Sequence, residues 1–415
     1  MLKAKTDAFI DANFQRETEF LAELVKVPSD NPPGDCAPIA ARAKALLEGL
    51  GFSVEAHVVP AGVVDAIGMK SVTNLIVRKK FGEGPIVALN AHGDVVPPGM
   101  GWSQDPYGAK IVDTPHGPAM YGRGVAVSKS DFATYAFALL ALMDAEKNGA
   151  KIGGTLELHL TFDEEAGGDI GPHWLLEQKL SKPDYAIAAG FSYAVVTAHN
   201  GCLHLEVTVL GKQAHAAMPS TGHDALEAAN GILSALYASR EALTKQKSKV
   251  KGIESPTLNI GLIAGGINTN VVPDRVTLRL DRRMIPEENT AQVESDLRVL
   301  IESAAKKFPG IRADVRRILL ALPLTEEKSF EKIVAAIQKH AEDELKVDVP
   351  SNGVPLYTDA RHYSSHGIPA VLYGAGPRSI LEANAHNADE NLRLNDLKAA
   401  TKIIALAVAE LLGAQ

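Results

Sequence analysis

Residues 86–99 read IVALNAHGDVVPPG, and the fold follows from how this stretch is read. Its apolar beginning predicts a buried strand that delivers His92 and Asp94 at its C-terminal end, where open α/β sheets place their sites. Residues two apart on a strand point to the same side, so His92 can ligate a metal while Asp94 orients its ring. Further strand-like runs lie at 52–59, 71–77, 155–161 and 185–188, with helical patterns at 6–27, 37–50, 131–147 and 174–179. Strands alternating with helices predict an α/β fold with a mostly parallel central sheet.

The pattern changes near Gly201. Strand 203–210, helix 224–244, strands 257–264 and 275–282, helix 291–307 and strand 312–321 follow one another, the βαββαβ order of a ferredoxin-like domain. After Pro323 the α/β character resumes with helix 327–345, strand 370–373 and a final helix 395–412. Residues 1–201 and 322–415 are therefore expected to form one domain, with residues 202–321 inserted into it.

At 415 residues, with 46% hydrophobic and 22% charged residues, the chain is long enough for two cores and has a globular composition. A net charge of −8 argues against nucleic acid or an anionic membrane surface as partner. The two cysteines, Cys36 and Cys202, lack metal-site spacing and suit a reducing compartment. The first residues are amphipathic and charged without the apolar centre of a signal peptide, so the expected location is cytoplasmic.

Five segments carry chemistry. The first holds His92 and Asp94. The second, TFDEEAGG at 161–168, sets three consecutive acids at the end of an apolar strand; like charges so crowded call for a cation or a shared proton. Glu165 is suited to bind metal, and Glu164 to move a proton from water to a leaving nitrogen. The third is ANAHNADEN at 383–391 with His386, and the fourth is YTDARH at 357–362, with Asp359 and Arg361 at an expected strand–loop junction. The fifth is spread over the inserted domain: GKQAHAAMP at 211–219 with His215, GGINTNVVP at 265–273 with Asn270, and Asp281-Arg282-Arg283. A histidine, an amide and an arginine can together grip a carbonyl oxygen and a carboxylate.

In order and spacing these segments resemble the M20 metallopeptidases, a family that includes acetylornithine deacetylase, succinyl-diaminopimelate desuccinylase, aminoacylase-1 and glutamate carboxypeptidase. The likeness runs from Val27-Pro28-Ser29 to the final helix and takes in 101–107 (GWSQDPY) and 121–124 (YGRG). It implies a catalytic metallohydrolase domain with an inserted lid that mediates dimerisation, its histidine, His215, reaching the partner subunit's site. By position it implies His92, Glu165 and His386 as metal ligands, Asp94 as the acid behind His92 and Glu164 as general base. It also implies that Asn270 and Arg283 contact the substrate.

Two positions depart from the family. The bridging aspartate expected three residues after Gly122-Arg123-Gly124 is Val127, and no acid stands near Ala189 or Gly190. Catalytic sites commonly use three protein ligands plus water. The expectation is therefore one weakly held divalent ion (zinc, manganese or cobalt) on Glu165 and His386, with His92 or a replacement acid such as Asp131 as third ligand. The expected activity is hydrolysis of a C–N bond in a small carboxylate-bearing N-acyl amino acid or dipeptide-like compound by a homodimer. Two alternatives are an aminohydrolase acting on an activated aromatic carboxylate and an inactive binding protein that kept the pocket.

Overall fold

A computed structural model describes residues 2–414. The chain divides into two compact units. One comprises the residues up to Thr197, Glu326–Asn352 and the chain from Thr358 onward; the other comprises Ala198–Thr325 with Gly353–Tyr357.

The first unit is built on an eight-stranded sheet. Its order is Val54–Val58, Thr73–Lys80, Thr155–Thr161, Ile86–His92, Tyr185–Ala188, Ala370–Leu372, Val195–His199 and Ser351–Val354. The four strands from Thr155–Thr161 to Ala370–Leu372 run parallel. Val54–Val58 and Thr73–Lys80 pair antiparallel on one flank, and Val195–His199 on the other. Continuous apolar sequence matches the central position: from Val87 to His92 every residue of the strand is buried. Register then sets the site, because His92 pairs with Thr161. The loops after both strands therefore leave the sheet side by side, one carrying Asp94 and the other Asp163, Glu164 and Glu165.

Helices Leu2–Val25, Lys129–Lys147 and Leu394–Leu411 pack on one another. Lys129–Lys147 is buried around most of its circumference, as its nearly uniform apolar sequence requires. Within this layer Glu17 is fully buried, with Oε1 2.5 Å from Thr401 Oγ1, which itself reaches Leu397 O at 3.0 Å. Thr401 Oγ1 donates to Glu17 Oε1 and also faces the Leu397 carbonyl.

The second unit carries an antiparallel sheet in the order Thr257–Gly265, Arg275–Met284, Gly201–Leu210, Arg312–Ala321. Its first strand in sequence lies between the third and the fourth, the ferredoxin-like arrangement. Leu203, Leu205, Val207 and Val209 alternate onto one face and pack with Ile232 and Leu236 of helix Ala225–Leu243 and Leu297 and Ile301 of helix Thr290–Ala305. Asp224 caps the first helix by accepting from Leu226 N and Glu227 N, and Asn289 caps the second by accepting from Gln292 N.

Three local expectations need correction. Residues 360–365 form a helix with Asp359 at its N-cap rather than a strand–loop junction; six residues are too few to show helical periodicity. The helix expected from 327 begins at Glu331, after a tight turn at Lys328–Phe330. Hairpin Lys110–Thr114/Gly117–Tyr121 and strand Asn391–Arg393 form a separate three-stranded sheet with no counterpart in the sequence reading.

Glu17 generates a pH test. Burial raises its carboxyl from the ordinary 4.5 to about 8, against the opposing Thr401 hydrogen bond and Lys398 charge. Between those two values the native state holds more protons than the unfolded chain, so this group makes stability fall as pH rises through the window. Glu17→Gln should remove that slope, so the variant loses less stability than wild type between pH 5 and pH 8. Urea midpoints at the two pH values measure this, and equal losses in both proteins would contradict it.

Candidate metal centre

Asp94 organises the site. It is fully buried, and its carboxylate accepts three N–H groups. Oδ2 takes Asn31 Nδ2 at 3.0 Å and Glu165 N at 3.1 Å, and Oδ1 takes Glu164 N at 3.1 Å. The tight turn Glu164–Ala166 thereby sits on Asp94. His92 Nδ1 lies 3.0 Å from the Asp94 carbonyl and 3.4 Å from Oδ1. Both are acceptors, so Nδ1 carries the hydrogen and Nε2 of the neutral ring keeps its lone pair for a cation.

One ligand atom each of His92, Glu164 and Glu165 lie within 4.8 Å of one another. Glu165 Oε1 is also 3.4 Å from His386 Nε2, so Glu165 links the two histidines. His386 stands in a polar loop at φ 63°, the left-handed region that few non-glycine residues occupy. Asp359 is buried behind the turn, its Oδ2 without a hydrogen-bond partner. Gly168 closes the approach: a Cβ there would meet Asp359 Oδ1 at 2.1 Å and His362 Nε2 at 2.8 Å.

The electrostatics show an excess of negative charge. Burial, reinforced by Glu165 and Asp94 against His92 and Arg361, pushes Glu164 up to about 8. Burial and the neighbouring Glu164 hold Asp359 well above the usual carboxylate range, and burial with Asp359 and Asp94 does the same to Asp163. Burial disfavours a charged His92, but Asp94, Glu164 and Glu165 outweigh it and raise the imidazole well above its ordinary value. Buried lone pairs, crowded carboxylates and an orphaned carboxylate oxygen fit a bound cation.

The departing positions lie in the same unit. Val127 is half-buried and offers no ligand atom; its N–H donates to Glu390 Oε1 at 3.2 Å, beside Ala126 N at 3.0 Å. Glu390 Oε2 takes Gly124 N at 3.2 Å and Arg123 Nη1 at 2.7 Å, while Arg123 Nη2 reaches Asn387 O at 3.1 Å. This buried ion pair ties the Val127 loop to the loop of His386. Glu390, Arg123 and Asn31 are the residues that sequence reasoning passed over. Glu390 had one visible signal, an acid four residues beyond His386. Gly190 admits no side chain, since a Cβ would stand 2.7 Å from Leu372 Cβ. Asp131, the suggested substitute ligand, is buried with Oδ1 accepting Ala375 N at 2.7 Å, and burial raises it to about 8. It is not one of the three residues whose ligand atoms converge at His92.

In the second unit His215 and Asn270 are neighbours: Ala216 N donates to Asn270 O at 3.0 Å, and His215 forms a bridge with Val271. His215 is exposed and its Nδ1 accepts Ala217 N at 3.0 Å. Arg283 lies on strand Arg275–Met284, its guanidinium held by Asp281 at 3.0–3.2 Å and 5.6 Å from the Tyr357 ring centroid.

The family model for peptidase family M20/M25/M40 matches residues 88–410. An acetylornithine deacetylase from Myxococcus xanthus is 28% identical over 381 residues, 91% of this chain and 92% of that protein. A succinyl-diaminopimelate desuccinylase from Aliarcobacter butzleri is 25% identical over 347 residues, 81% of this chain and 87% of that protein. The structure of human carnosine dipeptidase 1 superposes with a TM-score of 0.76 at 17% identity, covering 99% of each chain.

Asp94→Asn tests the hub. An amide NH2 would face one of the N–H donors that the carboxylate now accepts and would weaken the orientation of His92. Metal affinity is expected to fall roughly 10–100-fold, as for other groups that orient a histidine ligand, with secondary structure retained by circular dichroism. Unchanged affinity would remove Asp94 from the site.

Proposed function

The chain belongs to the M20 metallopeptidase family, whose members are metal-dependent hydrolases of C–N bonds, and on that premise we propose that it cleaves small N-acyl amino acids or dipeptide-like amides bearing a free carboxylate. The observation that carries this reading is Glu165, which joins the His92–Glu164 cluster to His386. His92, Glu165 and His386 would hold one divalent ion, zinc, manganese or cobalt, because Val127 and the Ala189–Gly190 turn supply no further carboxylate. Such an ion, when bound, supplies Lewis acidity toward the amide carbonyl and water.

The rest of the chemistry belongs to the chain's own side chains. Glu164 takes a proton from the attacking water and returns it to the leaving nitrogen, a task suited to a carboxyl beside the Glu165 ligand. Asp94 fixes the His92 tautomer and holds the backbone of Glu164 and Glu165. His215, Asn270 and Arg283 are assigned to the substrate's carbonyl and carboxylate; Asp281 fixes the Arg283 guanidinium. A homodimer is supported by edge strand Thr257–Gly265, whose Leu262 and Ile263 are 59% and 54% exposed. No helix among the described residues is long and apolar enough to cross a membrane, and a cytoplasmic location is our reading.

Glu164→Gln is nearly isosteric and leaves the ligand set intact. It should lower kcat roughly 10²–10⁴-fold, the usual contribution of a general base, with metal content and Tm unchanged. Elemental analysis after dialysis against each metal should find that Glu165→Gln/His386→Ala lowers the metal content by one ion per chain. A loss of two ions in that variant would overturn the mononuclear reading. Bound ligand without turnover across N-acyl amino acids and aminobenzoates would overturn the enzymatic one.

A further inference from the structure

Away from the centre just described, on the outer side of the same unit, His173 and Glu177 stand one turn apart on helix Pro172–Glu177. His366 follows helix Ala360–Ser365. One ligand atom from each of the three lies within 4.8 Å of the others, and the His173 and His366 ring centroids are 5.4 Å apart. His366 Nδ1 lies 2.7 Å from the carbonyl of His362, and its Nε2 lies 2.9 Å from Glu177 Oε1. Both partners only accept hydrogen bonds. A neutral ring has a single N–H and cannot satisfy both, so the arrangement calls for one positive charge between Nε2 and Glu177: a proton or a metal ion. With Nδ1–H held by a carbonyl, Nε2 is oriented as in metal-bound histidines.

We propose that His173, Glu177 and His366 form a second metal site, one that takes a zinc-class transition ion. Two imidazoles and one carboxylate favour zinc, nickel or copper over magnesium or calcium, which prefer all-oxygen shells. Three protein ligands with an open fourth position are an ordinary zinc arrangement. Access is open, since the His366 and Glu177 side chains are 24% and 57% exposed. His362, whose ring centroid lies 5.3 Å from that of His173, brings no competing positive charge: burial and Arg361 push its pKa well below the usual range. Among the described residues a further His-containing cluster, Cys202, His204 and Asp281, is less suited because the Arg283 guanidinium occupies both Asp281 oxygens.

An ion here clasps the helix after the Glu164–Ala166 turn to the segment that follows helix Ala360–Ser365. That helix supplies Arg361 and His362, both of which donate to the carbonyl of Gly167. The site is independent of the assignment of substrate or of the first centre. The experiment is a calorimetric titration of the full chain with zinc. In a Glu165→Gln/His386→Ala background, which cripples the first centre, one zinc per chain is expected, with Tm raised by zinc and not by magnesium. Adding His173→Ala and His366→Ala should weaken that binding at least tenfold while leaving Tm without zinc unchanged. In the wild-type background the same two substitutions should lower zinc content by one ion and preserve turnover. Equal zinc affinity with and without His173 and His366, or no zinc binding in the first background, would overturn the proposal.

Discussion

The site depends on one electrostatic constraint: carboxyl groups gathered at the C-terminal ends of two paired strands outnumber the cations that face them. Asp94, Asp163, Glu164, Glu165 and Asp359 meet His92, Arg361 and His386. Burial and mutual repulsion push Asp163, Glu164 and Asp359 toward their neutral forms. The sheet enforces this crowding, since the pairing of His92 with Thr161 leaves the two acidic loops no room to part. A divalent ion would relieve the repulsion directly.

The loop that carries Val127 is anchored through its backbone. Glu390 takes the N–H groups of Gly124, Ala126 and Val127 and a guanidinium nitrogen of Arg123, which in turn holds the carbonyl of Asn387. Backbone hydrogen bonds to a buried carboxylate do not depend on the side chain at 127. Val127 itself brings no charge to the centre, and its loop is held whatever side chain stands there. At Gly190, Leu372 and Tyr373 leave no space for any Cβ.

The periodic parts of the fold were legible because burial imposes period on sequence. The strand ending at His92, the all-apolar helix Lys129–Lys147 and the alternating strand Gly201–Leu210 follow directly from their patterns. Short elements carry no period, so helix Ala360–Ser365 and hairpin Lys110–Thr114/Gly117–Tyr121 were invisible. At the site, residue types with evident chemistry stood out: His92, Glu164, Glu165, His386. Asn31 and Glu390 did not, because they act by holding backbone or carboxylate groups from 63 and 264 residues away. Asp131 misled for the opposite reason: helical proximity to Val127 placed it near the centre, but its carboxylate is turned to the backbone of Ala375.

The turn at 164–168 is where these constraints meet. Asp94 holds its front through the N–H groups of Glu164 and Glu165, while Arg361 and His362 hold its back through the carbonyl of Gly167. Gly168, at φ 71°, lets Asp359 and His362 approach closer than any side chain would permit. Helix Ala360–Ser365 is thus a buttress for the two glutamates. His362 of that helix stacks toward His173, and its carbonyl fixes His366. The outer histidine cluster and the inner carboxylate cluster therefore lie on either side of one short helix, which faces the turn through Arg361 and His362 and the outer cluster through the His362 ring and carbonyl.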